Sequence, residues 1–133
     1  MCIRDSFMAV GLAAKVAAAE FLQHSIEEQG HADELAQRIT QLNGEPDLDP
    51  SHLSSRSHSE YIEGVSLADM IRENLVAERV AIDSYSEMIR YLGADDPTTR
   101  RLLEAILAKE EEHATDMSDL LSALSPIGGA RTG

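Results

Sequence analysis

Hydrophobic residues recur every three or four positions along the last long segment of the chain, which predicts an amphipathic α-helix over about 97–124. Its apolar row consists of Leu103, Ile106, Met117, Leu121 and Leu124. Because a helix advances about 100° per residue, Glu110 and His113 lie in the middle of this same face. A carboxylate and an imidazole therefore interrupt a face that is expected to be buried.

The same pattern predicts a helix over 12–42, closed by an Asn-Gly pair. Its apolar face, centred on Glu28, carries Phe21, His24, His31, Leu35, Ile39 and Leu42. Glu28 and His31 repeat the Glu-x-x-His spacing of the last helix. We interpret His24, one turn earlier, as a helix histidine that is partly exposed near the bundle surface.

A third helix is predicted from a capping box at Ser66 to about Leu92, where a glycine follows. Its apolar row consists of Ile71, Leu75, Ile82, Tyr85, Ile89 and Leu92. Glu78 is the single acidic residue in that row. We interpret Tyr85 as a core tyrosine with a hydrogen-bonded hydroxyl.

The two connections between these helices differ in length. Residues 43–65 contain prolines and several serines, which predicts a linker, and His52 and His58 are interpreted as solvated loop histidines. Such a linker can cross the about 40 Å length of a helix and make its flanking helices parallel. The turn at 93–97, with Asp96 as the predicted N-cap, is short and makes the last helix antiparallel to its predecessor.

The hydrophobic pattern is weaker at the two ends of the chain than in the middle. Residues 1–6 show no pattern related to the rest of the chain, and we expect them to be a leader from sequence assembly or cloning rather than native sequence. Residues 7–10 are interpreted as the last turn of a helix ended by Gly11, so that an upstream helix is missing. One incomplete domain is therefore expected over 7–124, followed by a flexible tail over 125–133.

Composition narrows the classes of function. A net charge of −13 opposes a nucleic-acid surface and favours attraction of cations. The single cysteine excludes disulfide scaffolds and multi-cysteine metal sites, and it favours a reducing cytoplasm. Since no run approaches about 18 apolar residues, no membrane-spanning helix is predicted.

Ligand-capable side chains thus lie near the middle of three predicted helices, namely Glu28, His31, Glu78, Glu110 and His113. A buried, ionised carboxylate is costly unless it is paired, and a metal ion is the usual partner. The alternative interpretation is a set of charged helix edges, at which Glu78 would pair with an arginine. Two helices with Glu-x-x-His and others with one Glu are typical of carboxylate-bridged di-iron four-helix bundles. Such ligands suit iron, with manganese and zinc as competitors.

At these residues the sequence resembles the bacterioferritin and ferritin-like di-iron family. The similarity extends over about 7–124 and includes residues 31–33, 38–39, 43–46 and 106–113. The resemblance implies an all-α, ferritin-like four-helix bundle, with a long crossover between the second and third helices and with the first helix largely absent from this chain.

The resemblance also implies an iron storage protein with ferroxidase activity, which binds two irons and oxidises Fe(II) with O2 or peroxide in a homo-oligomeric shell. Its metal ligands and catalytic residues would be Glu28, His31, Glu78, Glu110 and His113. Glu78 and either Glu28 or Glu110 would bridge the metals. The family's first helix supplies a further Glu that has no counterpart here. Haem is not expected, because Gln29 occupies the position of the haem-binding Met.

The sequence leaves three alternatives to this function open. A DNA-protecting mini-ferritin shares the fold but builds its site between subunits, and a rubrerythrin-like peroxide reductase usually carries a four-cysteine iron domain. A bundle that serves only protein–protein contact would bind no metal. If a helix is missing, the chain as written should fold poorly and bind iron weakly, since each buried Leu or Ile contributes about 1.5–3 kcal/mol.

Overall fold

A computed structural model describes residues 1–11 and 14–124, and within these ranges the chain is helical and contains no strand. The helices are α1 (Cys2–Met8), α2 (Ala14–Gln41), α3 (Leu53–Arg56), α4 (Leu67–Leu92) and α5 (Pro97–Leu124). A 3-10 turn, Pro50–His52, precedes α3. The all-α prediction and the three long helices are confirmed. The first two residues of the predicted 12–42 helix and the predicted tail at 125–133 lie outside the described residues.

The ends of the long helices follow the local signals in the sequence. After α2, Asn43 adopts a left-handed φ of 63°, and the N–H of Gly44 donates to the carbonyl of Ile39 at 2.9 Å. Ser66 forms the predicted capping box with Asp69 at the start of α4. These local bonds satisfy backbone groups that the helix ends would otherwise leave unpaired.

Contacts between side chains fix the relative directions of the helices. From α2, His24 approaches Asp116, His31 approaches Glu110 and Arg38 binds Asp96, so α2 and α5 are antiparallel. The turn between α4 and α5 also reverses the chain. Since α2 and α4 are both antiparallel to α5, they run parallel to each other, and the connection between them is the predicted long crossover.

The main hydrophobic cluster lies between α2, α4 and α5, at the end where α2 begins. It contains Ala17, Phe21, Met70, Ile71, Leu75 and Met117, with Cys2 of α1 at its edge. The apolar face of α2 is less completely buried than predicted, since Ile39 and Leu42 are 39% and 54% exposed. The apolar side chains in the last turn of α2 therefore stay in contact with solvent.

The first residues of the chain differ in detail from the expectation. The helix that was expected to end at Gly11 ends at Met8, because Ala9 is extended with φ −71° and ψ 110°. Cys2 and Asp5 of α1 are buried against the bundle. That residues 1–6 are a foreign leader stays a prediction. Among the described residues, no helix has the length and hydrophobicity needed to span a bilayer.

One polar cluster joins α2 to the start of α5. Arg38 donates to both carboxylate oxygens of Asp96, at 3.0 and 3.2 Å, and its Nε donates to Thr99 Oγ1 at 2.8 Å. Hydrogen bonds from the Thr99 hydroxyl and backbone N–H, followed by those from Arg38, lower the pKa of Asp96 from 3.8 to about 2. The ionised Asp96 therefore serves both as the N-cap of α5 and as the anchor for Arg38.

We expect Asp96→Asn to lower stability near neutral pH, because asparagine caps a helix but cannot pair ionically with Arg38. A group with a depressed pKa stabilises the fold above its unfolded value and loses that contribution as the pH falls through its folded value. The difference in urea midpoint between the two proteins should therefore be present above pH 3.8 and vanish near pH 2. Asp95→Asn, which changes the neighbouring exposed acid, is the control. A pH-independent difference for Asp96→Asn would contradict the assignment.

Candidate metal centre

The structure brings together all five residues that the sequence placed on buried helix faces. His31 Nδ1 of α2 lies 3.0 Å from Glu110 Oε1 of α5. His113 Nδ1 of α5 lies 3.5 Å from Glu28 Oε1 and 3.8 Å from Glu78 Oε2, which comes from α4. The middle turns of three helices therefore present three carboxylates and two imidazoles to one volume.

These side chains are arranged from the interior outward. Glu78, Glu110 and His113 are buried, whereas His31 and Glu28 are partly accessible. Glu110 and His113 follow Ile106 and precede Met117 along α5, so apolar layers lie on either side of the charged one. The alternative in which Glu78 reaches a helix edge is therefore wrong, because its side chain points into the bundle.

Several buried atoms of this cluster have no hydrogen-bond partner. Among the described residues, such atoms are Glu28 Oε1, His31 Nδ1, Glu110 Oε1, His113 Nδ1 and His24 Nδ1. A buried polar atom without a partner costs about 1–3 kcal/mol. Since the first four face one another, cations placed among them would satisfy all four. Carboxylate oxygens with one imidazole per metal are a donor set that fits iron, manganese or zinc.

The metal-free cluster holds protons in place of a cation. Burial, followed by the neighbouring Glu78 and Glu28, raises the pKa of Glu110 from 4.5 to about 9. Burial alone would lower the pKa of His113, but Glu28, Glu78 and Glu27 outweigh it and raise that pKa to about 11. At neutral pH, Glu110 is therefore neutral and His113 is charged, which reduces repulsion between the carboxylates.

Glu27 lies against the cluster although it is not on the predicted apolar face of α2. Its Oε2 lies 2.5 Å from Nε2 of His113, and this bond lowers the pKa of Glu27. When Nε2–H donates to Glu27, Nδ1 of the same ring is free to bind a cation. Glu27 is about 100° away from Glu28 around α2, so it lies outside the apolar face that was predicted from the sequence. A histidine that binds a metal through one ring nitrogen needs a hydrogen-bond acceptor for the N–H of the other. That requirement could have identified Glu27 as the partner of His113.

The prediction that His24 is partly exposed is wrong. The residue is 1% exposed, and its ring stacks on that of His113 with centroids 3.9 Å apart and planes 19° apart. Burial results because α5 packs across this turn of α2. Tyr85 is half-buried, and burial, with the charges of Glu110 and Glu28, raises its pKa to about 12. That it is a core tyrosine with a hydrogen-bonded hydroxyl stays a prediction.

A polar network from α1 borders the site on the Glu78 side. Cys2 Sγ donates to Asn74 Oδ1 at 2.9 Å, and Asn74 Nδ2 donates to Asp5 Oδ2 at 2.7 Å. Burial and the charge of Glu78 raise the pKa of Cys2 to about 12, so this side chain is a thiol rather than a metal-binding thiolate at neutral pH. No pattern of residues along the chain indicated this network.

An open cavity of about 700 Å³ leads from the surface to the carboxylates of Glu28, Glu78 and Glu110. Its apolar wall includes Leu22 and Ile26, and Ile26 is 64% exposed. Gln29 also lines this cavity, and its side-chain amide donates to Asp33. Water and small solutes can therefore reach the cluster from this side.

Comparison with known proteins agrees with this geometry. Residues 6–127 match the family model described as a ferritin-like domain. The chain belongs to the ferritin-like family. Of the solved structures, the dodecameric thioferritin described as the bacterioferritin-related protein from Bacteroides fragilis superposes with a TM-score of 0.88. It is 30% identical, and the match covers 92% of this chain and 74% of that one.

Two curated relatives carry different names. A DNA protection during starvation protein from Pyrococcus furiosus is 32% identical over 111 residues, which cover 81% of this chain. A bacterioferritin from Desulfovibrio desulfuricans is 26% identical over 105 residues, which cover 78% of this chain. The chain spans only 60% and 55% of the lengths of these two relatives. The resemblance to the ferritin-like family and its fold is thereby confirmed.

We expect Glu110→Gln to flatten the pH dependence of stability in metal-free protein. A carboxyl group with a raised pKa must keep, in the folded state, a proton that the unfolded chain releases, so stability falls as the pH rises from 4.5 to about 9. Glutamine has no such proton, and the variant should be at least as stable as the wild type at pH 8. Denaturant unfolding across this range provides the measurement, with the exposed neighbour in Glu111→Gln as control. Parallel stability curves for wild type and Glu110→Gln would contradict the raised pKa.

Proposed function

We propose that this ferritin-like protein binds two iron ions at the five-residue cluster, oxidises Fe(II) to Fe(III) and stores the ferric product. The observation that carries the proposal is the convergence of four unpaired, buried ligand atoms from α2 and α5 on one volume. Nothing in the hydrogen bonding of the described residues satisfies these atoms, whereas two metal ions would. The names of the bacterioferritin and bacterioferritin-related relatives support the same role.

The proposal assigns a role to each side chain. His31 and His113 each bind one iron through Nδ1, and Glu27 holds the His113 ring by accepting from Nε2. Glu28, Glu78 and Glu110 would supply the carboxylate oxygens that hold the two ions, with Glu78 and either Glu28 or Glu110 shared between them. Binding of Fe(II) displaces the protons held by Glu110 and His113, so affinity should rise with pH.

Oxidation removes one electron from each Fe(II) and passes it to O2 or peroxide, which takes up protons as it is reduced. The carboxylates favour the product, because Fe(III) carries one more positive charge than Fe(II) in an environment of low dielectric. The net charge of −13 attracts the cationic substrate. The cavity beside Glu28 offers the oxidant a path to the metals.

We also propose that the protein works as a cytoplasmic homo-oligomer without haem. The related protein from Bacteroides fragilis is described as dodecameric, and a closed shell of subunits would retain ferric mineral. Gln29 is engaged with Asp33 and has neither the thioether nor the imidazole that commonly binds haem iron.

Glu110→Gln should reduce the initial rate of Fe(II) oxidation by about 10-fold or more, since losing a ligand should cost at least as much as losing the partner of a ligand. Stopped-flow absorbance of the ferric product gives the rate under aerobic conditions. The matched control, Glu111→Gln, makes the same substitution on the exposed face of the same helix and should oxidise iron at the wild-type rate. Equal rates in Glu110→Gln and the wild type would refute the ferroxidase assignment.

A DNA-protecting function is the second candidate, because one relative carries that name. The acidic composition opposes it, since binding to the DNA backbone depends on lysine and arginine displacing counterions. The rubrerythrin-like and metal-free alternatives would be separated from the proposal by the iron content and oxidation rate of the purified protein.

We expect no retardation of duplex DNA by this protein in a gel-shift assay at physiological salt. The 24 acidic side chains outnumber the 11 Lys and Arg, which leaves few cations for phosphate contacts. Binding that weakens as salt is raised would instead support the DNA-protecting alternative. Metal-loaded and metal-free protein should be compared, because bound iron changes the charge.

A further inference from the structure

We propose that Glu20, His24 and Asp116 form a second divalent-cation site, next to the five-residue cluster but separate from it. Each contributes one ligand atom, and together these atoms form a compact group. His24 Nε2 lies 3.4 Å from Asp116 Oδ2 and 3.8 Å from Glu20 Oε2. None of the three residues belongs to the proposed ferroxidase ligands, so this site does not rest on that function.

His24 Nε2 and Asp116 Oδ2 form a long hydrogen bond, and their separation also suits two ligands of one cation. A good N–H···O bond has its heavy atoms about 2.9–3.0 Å apart. Two ligand atoms that each lie about 2.1 Å from a tetrahedral metal are about 3.4 Å apart. Both separations from His24 Nε2 exceed the first value, and the one to Asp116 equals the second. A cation could therefore bind with only small movements of the two carboxylates.

The buried imidazole of His24 points its Nε2 at the two carboxylates. His24 is 1% exposed, and its Nδ1 has no hydrogen-bond partner. With its proton on Nε2, the ring makes only the long hydrogen bond to Asp116 Oδ2, at 3.4 Å. With its proton on Nδ1, the lone pair of Nε2 faces two negative oxygens, an arrangement that a cation between them would stabilise. Stacking on His113 fixes the plane of the ring and thereby the direction of Nε2.

The surroundings leave the two carboxylates available. Among residues 1–11 and 14–124, neither Glu20 nor Asp116 forms an ion pair with a lysine or arginine. Lys109 is within electrostatic range of Asp116, but its ammonium binds Glu112 at 2.7 Å. The Glu20 and Asp116 side chains are 34% and 40% exposed. They line an open cavity of about 250 Å³ that would admit a hydrated ion.

The donor set indicates the class of cation. One imidazole and two carboxylates favour Fe(II), Zn(II), Mn(II) or Co(II) over Mg(II) and Ca(II), which prefer oxygen alone. Three protein ligands leave further positions for water, so a bound ion could exchange. His24 lies one helical turn from Glu28, and Asp116 lies nearly one turn from His113. An ion held here is therefore positioned to enter or leave the five-residue cluster.

The test uses Zn(II) alone as the probe, titrated calorimetrically into the metal-free full chain. We expect Asp116→Asn, a change at a half-exposed side chain, to weaken binding at one site by about 10-fold or more. Asp119→Asn is the matched control, because Asp119 lines the same cavity but is not one of the three ligands. It should bind zinc as the wild type does. Equal loss in the two variants, or none in Asp116→Asn, would overturn the proposal.

A second pair of proteins separates this site from the proposed ferroxidase centre. In a Glu110→Gln background, the Asp116-dependent zinc ion should remain while binding at the five-residue cluster weakens. Glu20→Gln should reproduce the effect of Asp116→Asn, which guards against a local folding defect in either variant. Crystals soaked in Zn(II) should show anomalous density beside His24 Nε2. Density confined to the five-residue cluster would overturn the second site and leave the ferroxidase proposal standing.

Discussion

Repulsion among buried carboxylates is the constraint on which the rest of this structure depends. Glu28, Glu78 and Glu110 come from two parallel helices and one antiparallel helix, and they meet between apolar layers, with Glu78 and Glu110 buried and Glu28 partly accessible. Without a cation, the fold tolerates them only by retaining protons on Glu110 and His113. A cation bound at this cluster would replace the protons and pair the unpaired atoms, so its binding would be coupled to folding.

The fold and most of the site could be predicted because both depend on periodicity along single helices. The positions of Glu78 and Glu110 within apolar rows indicated burial, and the long and short connections fixed the helix directions. Glu27 and His24 were missed or misjudged because their environment is set by α5, which lies far away in sequence. The apolar pattern of one helix does not determine which residues at the margin of its buried face a neighbouring helix covers.

The contacts that align α2 with α5 are separate from the side chains that form the proposed metal site. Arg38, Asp96 and Thr99 join α2 to α5 at one end of the bundle, and the hydrophobic cluster around Phe21 and Met117 joins them at the other. The charged layer lies between these two attachments. Its repulsion is thus resisted by contacts that do not themselves take part in binding, which allows the cluster to be preorganised before an ion arrives.

The contacts of α2 with the His113 ring have a consequence for helix motion. Adjacent glutamates approach its two nitrogens, Glu27 at Nε2 and Glu28 at Nδ1, while the His24 ring covers its face. A rotation of α5 about its own axis would break all three contacts at once. The imidazole of His113 therefore holds α5 at one rotation about its own axis relative to α2. For that reason a substitution of His113 would change helix alignment and cation affinity together, and its effect could not be ascribed to either alone.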